Sequence, residues 1–79
     1  MRPLIDTHDY EFKKRNARKL IEHGDKVKVT MRFKGRELGR QELGAKVLNR
    51  LVLELADIAK VEIQPKMEGR QMVMILMAL

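Results

Sequence analysis

Eight consecutive apolar residues, Met72 to Leu79, constrain this chain more than any other feature. A membrane-spanning helix takes about 20 apolar residues, so the run is far too short to be one. From Gln71 to Leu79 nearly every position is apolar, which is the pattern of a strand covered on both faces. Such a strand belongs inside a sheet, and it needs a neighbour on each side.

The chain supplies the neighbours. Val27, Val29, Met31 and Phe33 alternate with Lys28, Thr30, Arg32 and Lys34, so one side of the strand enters a core while the other carries cations. Gly35 breaks that strand. Ala59, Val61 and Ile63 alternate with Lys60, Glu62 and Gln64 as another strand, and Pro65 to Gly69 is expected to turn it into the last one. Residues 2–6 read as a short first strand that Pro3 confines to an edge.

Two helices fall between the strands. The first is expected over Thr7 to His23, with Asp6, Thr7 and Asp9 competing for its cap and Gly24 as its stop. Tyr10, Ala17, Leu20 and Ile21 share its apolar face, which Lys13 and Lys14 interrupt; Phe12 lies off the stripe. The second is expected over residues 39–58, where Leu43, Gly44, Val47, Leu48, Leu51, Leu55 and Ile58 recur at helical spacing. Lys46, Arg50, Glu54 and Asp57 line its other side, and Leu53 points outward.

The expected order is therefore β-α-β-α-β-β, an α/β (α+β) two-layer sandwich. Right-handed crossovers put both helices on one face of the sheet and leave the other open. With the apolar last strand in the interior, the four-stranded mixed sheet takes the order 1-2-4-3.

Composition then narrows the function. Seventy-nine residues make one domain, 1–79. Cysteine is absent, which excludes disulfides and thiolate metal sites and fits a reducing, cytoplasmic compartment. Serine is absent as well, so the familiar nucleophiles are missing. His8 and His23 sit at opposite ends of one helix, a poor start for a metal site, and Glu37 and Glu42 come with no implied pocket. The reading is of a non-enzyme with no cofactor and no membrane segment.

The charge is lopsided. Residues 1–50 hold fourteen Lys or Arg against seven Asp or Glu, whereas residues 51–79 hold three against four. An uneven basic surface points to a polyanion. The expected topology ends two strands and starts the last at one rim, so Lys34, Arg36 and Arg40 should meet Lys66 and Arg70 there. Arg50 lies about 15 Å further along the second helix by helical rise and belongs to a separate contact. With only Tyr10, Phe12 and Phe33 aromatic, base stacking is poorly supplied, and structured RNA held by its phosphates is the better ligand.

Several runs carry a resemblance. Gly24-Asp-Lys-Val-Lys-Val29, Arg32-Phe-Lys-Gly-Arg-Glu37, Gly44 with Val47-Leu-Asn-Arg50, and Pro65-Lys-Met-Glu-Gly-Arg-Gln-Met72, with Asp9-Tyr10 ahead of a basic helix, follow in order along nearly the whole chain. Together they resemble the C-terminal domain of bacterial translation initiation factor three. The resemblance implies the same β-α-β-α-β-β fold and binding to 16S rRNA of the small (30S) ribosomal subunit. It implies blocked joining of the large subunit and support for initiator tRNA and start-codon selection, with mRNA nearby. RNA-contacting positions of the family match at Arg2, Arg15, Arg32, Lys34, Arg36, Arg50 and Arg70. Lys34 stands where arginine is also common, which keeps the charge and loses the planar fork. The family's N-terminal domain and lysine-rich linker have no counterpart here, so an excised, monomeric domain is expected. The alternative is a structured-RNA-binding or ribosome-associated protein without anti-association activity.

Overall fold

The computed structural model describes residues 6–35 and 39–79. Two helices and a three-stranded sheet follow in the order α1 (Thr7–Glu22), β1 (Val27–Arg32), α2 (Gln41–Glu54), β2 (Ala59–Glu68) and β3 (Gln71–Ala78). The strand expected over residues 2–6, with Arg2, falls mostly outside the described residues, as does Arg36.

Helix α1 is bounded as its end residues dictate. The Asp6 carboxylate accepts from the Asp9 amide at 2.8 Å, a side-chain N-cap. At the other end Gly24 takes φ +87, its amide donates to the Ile21 carbonyl, and the Asp25 amide donates to Leu20. That pair of bonds is the Schellman closure, which needs the left-handed glycine.

The sheet has the order β1-β3-β2, so the apolar strand lies in the middle. Every described pairing is antiparallel. Of the expected four-stranded mixed sheet of order 1-2-4-3, the described residues show three strands, all neighbours antiparallel, and the fourth strand is not among them. Val27, Val29 and Met31 of β1 stand opposite Leu76, Met74 and Met72. All six are buried, and with Tyr10, Ala17, Ile21, Leu48, Leu51 and Leu55 of the helical layer they form the core. The partners Lys28–Ile75, Thr30–Val73 and Arg32–Gln71 lie on the other face.

Two expectations about boundaries are corrected. Helix α2 ends at Glu54 rather than Ile58, because the chain passes into tight turns in which the Ile58 and Ala59 amides both donate to the Leu55 carbonyl. The turn expected over Pro65 to Gly69 is strand as far as Glu68. Pro65 is tolerated there because β2 is, among the described residues, an edge strand whose register against β3 shifts between Val61 and Ile63 and again between Ile63 and Lys66. The first shift turns Ile63 onto the open face beside Ile75 and leaves it 39% exposed. The hairpin itself is only Gly69-Arg70, between the paired Glu68 and Gln71. Gly69 has φ +64, and among the described residues no other residue type has a positive φ, which suits a two-residue turn needing a positive φ at its first position alone.

Gly44 decides how α2 seats on the sheet. A Cβ at this position would lie 2.5 Å from Cζ of Phe33 and 3.0 Å from Cγ of Met31. The missing side chain lets the first turns of α2 rest directly on the end of β1.

Candidate nucleic-acid interface

Three chain segments meet where β1 ends. The Phe33 amide donates to the Arg70 carbonyl at 2.9 Å, which sets the backbone of the hairpin beside the residue preceding Lys34. The close approach of Gly44 to Phe33 brings the start of α2 to the same end, and with it Arg40, the N-cap residue. Arg40 makes no side-chain capping bond, so its guanidinium is not spent on the helix. Lys34, Arg40 and Arg70 are all exposed. Arg32 is exposed too and faces the open side of the sheet opposite Gln71.

Lys66 stands further from this end, opposite Val73 on the open face, with Nζ 3.7 Å from the Glu68 carboxylate. At that distance and exposure the pair is weak. Of the expected rim, then, Lys34, Arg40 and Arg70 share one end, Arg32 adds to it, and Lys66 is displaced along β2. Arg36 lies outside the described residues.

The other two candidates, Arg15 and Arg50, sit on the helical layer. Arg15 is exposed on α1. Arg50 has a more elaborate setting. Its Nε donates to Oε2 of Glu54 at 3.1 Å, one turn ahead on α2, and its guanidinium carbon lies 4.2 Å from the centre of the Tyr10 ring. The Tyr10 hydroxyl donates to Oε1 of Glu54 at 2.6 Å, and Lys14 donates to the same oxygen at 3.2 Å. Lys14 also pairs with Glu11 at 3.1 Å. One turn on, the Arg18 guanidinium contacts both carboxylate oxygens of Asp57, at 3.0 and 3.3 Å. Residues 10, 14 and 18 thus run beside 50, 54 and 57, and the two helices are tied by alternating charge.

The electrostatics follow from these bonds. Burial, then the bond to Glu54, raises the Tyr10 phenol well above its ordinary range. Hydrogen bonds from Tyr10 and Arg50 hold the Glu54 carboxyl down at about 2, against an ordinary value of 4.5. Arg18 lowers Asp57 in the same way. A carboxyl depressed in the folded state contributes stability that is present above its unfolded pKa and lost as pH falls toward the folded value. Thermal melts of the wild type and Glu54→Gln should therefore differ most above about pH 5 and converge as pH falls from 4.5 to about 2. A gap that is constant with pH would show that Glu54 is not ionised against these partners.

Sequence spacing missed this cross-helix network, since Tyr10 and Glu54 are 44 residues apart. Two signals were present. Lys14 interrupts the apolar stripe of α1 because it pairs with Glu54 across the helix interface, and Arg50 precedes Glu54 by four residues, the spacing of a helical ion pair.

Comparison of the sequence with known proteins identifies relatives. Residues 1–79 match the family described as Translation initiation factor IF-3, C-terminal domain. The chain is 60% identical over 76 residues to translation initiation factor IF-3 of Brucella melitensis, covering 96% of this chain and 43% of that protein. It is 59% identical to the protein of that name from Parvibaculum lavamentivorans and 55% identical to the one from Phenylobacterium zucineum, covering 44% of each. The chain spans less than half the length of these relatives.

Proposed function

Because the chain belongs to the family of the translation initiation factor IF-3 C-terminal domain, we propose that it binds 16S rRNA of the small ribosomal subunit and hinders joining of the large one. The observation that carries this reading is the gathering of Lys34, Arg40 and Arg70 at one end of the sheet, with Arg32 beside them. Guanidinium and ammonium groups at the tips of separate elements can meet phosphates that are close in a folded RNA and far apart in its sequence. Stacking contributes little, since Tyr10 and Phe33 are buried and Phe12 is the one exposed aromatic. Recognition thus follows the RNA backbone and its shape.

The mechanism is occupancy. A domain bound on the small subunit covers surface needed by the large one, and free subunits then accumulate by mass action. This works only if affinity for free small subunits exceeds that for joined ribosomes. Support of initiator tRNA and start-codon selection belongs to the same proposal, with tRNA and mRNA as neighbours. The relatives are more than twice as long as this chain, and whatever their remaining residues add through a tether is lost to the domain alone.

Light scattering of ribosomes tests the reading. At concentrations that saturate small-subunit binding, the domain should shift 70S ribosomes toward free subunits. Binding without a shift would leave a structured-RNA-binding protein that lacks anti-association activity.

A further inference from the structure

On the proposed RNA-binding role, on which this rests, we infer that Tyr10 and Glu54 are positioning residues that fix Arg50 in the pose that meets a phosphate. Arginine is a flexible side chain, and a flexible cation loses freedom when it engages a ligand. Arg50 has lost much of that freedom already. Its face is stacked 4.2 Å above Tyr10, a residue only 1% exposed. Its Nε is tied to Oε2 of Glu54 at 3.1 Å, while the other oxygen of that carboxylate is held by the Tyr10 hydroxyl at 2.6 Å. Lys14 supplies a second cation to the same oxygen.

What the network leaves over is as informative as what it uses. The Arg50 side chain is 54% exposed, and its two terminal amino groups bond to nothing among the described residues. They form the end of the guanidinium that grips a phosphate with two parallel bonds. The platform underneath belongs to the core, so the direction in which that end points is set by the packing of α1 on α2.

The sign of one substitution separates this from plain electrostatics. Glu54 is a negative charge next to a surface proposed to meet a polyanion, and removing it should by itself strengthen binding. Positioning requires the reverse. Affinity for bacterial small subunits would be measured at several salt concentrations for the wild type, Glu54→Gln, Tyr10→Phe, Arg50→Ala and the Glu54→Gln/Arg50→Ala double variant. Glu54→Gln should weaken binding by about three- to tenfold, the range associated with ordering one such side chain. Tyr10→Phe, which keeps the ring and loses the bond to Glu54, should weaken it less. In the Arg50→Ala background the Glu54 substitution should be neutral or slightly favourable. Melts of each variant confirm that all are folded at the temperature of measurement.

Tighter or unchanged binding by Glu54→Gln while Arg50 is present overturns the inference. Equal weakening with and without Arg50 does so too, because the effect then does not pass through Arg50. If the wild type itself fails to bind small subunits, the RNA-binding reading falls.

Discussion

Replacing Leu48 with alanine is expected to destabilise the domain by about 2–5 kcal/mol, the range for emptying a leucine-sized space in a packed core. Leu48 is fully buried, on the face of α2 that meets the sheet. A domain of this size has about 12 kcal/mol to lose at best, since native stability runs at about 0.05–0.15 kcal/mol per residue. The melting temperature should fall by roughly 10–30 °C. Chemical denaturation with an unchanged m-value would confirm that stability alone has moved. Affinity for the small subunit, corrected for the folded fraction, should be close to that of the wild type, because Leu48 holds the scaffold and touches no ligand. A melting temperature within a few degrees of the wild type would mean that α2 does not seat on the sheet as described.

The second large effect concerns the cations. Replacing Arg32, Arg40 and Arg70 together with alanine is expected to weaken small-subunit binding by about two to six orders of magnitude, at about 1–3 kcal/mol for each charge-assisted contact. The same variant should flatten the dependence of log affinity on log salt by about 2–3, near 0.7–0.9 per phosphate contact removed. Folding should hardly respond, for all three side chains are exposed and Arg40 caps α2 without using its guanidinium. The two variants thus dissociate scaffold from surface: one loses stability and keeps affinity, the other does the opposite. If the triple variant binds as tightly and as salt-sensitively as the wild type, the RNA docks elsewhere.

Much of this architecture was legible in the residues. The alternation from Val27 to Phe33 specified β1 and its buried face, and the eight apolar residues specified the central position of β3. Asp6 and Gly24 marked the ends of α1 within a residue. These signals are local: a cap, a left-handed glycine or a period of two depends on neighbours a few positions away. Pro65 misled for a physical reason. A proline lacks the amide that a central strand must donate, but an edge strand with a shifted register does not ask for it.

The surface was legible in part. Topology alone put Lys34, Arg40 and Arg70 at one end, because they lie at element boundaries. Lys66 was misjudged with the turn, since moving the turn to Gly69 leaves Lys66 back along the strand. Arg50 was found as a cation and missed as one end of a network. No pattern within α2 reveals that a tyrosine 40 residues earlier lies beneath it, because helix packing brings the two together only in the folded chain.

The irregular course of β2 has one more consequence. A central strand as apolar as β3 makes a sheet inclined to recruit further strands through its rim, which is how many small β-rich domains aggregate. The outer side of β2 offers a poor template for such recruitment. Pro65 removes a donor, and the two register shifts interrupt the row of amides and carbonyls. The proline and bulges that obscure β2 in the sequence thus also guard it against fibril-like growth.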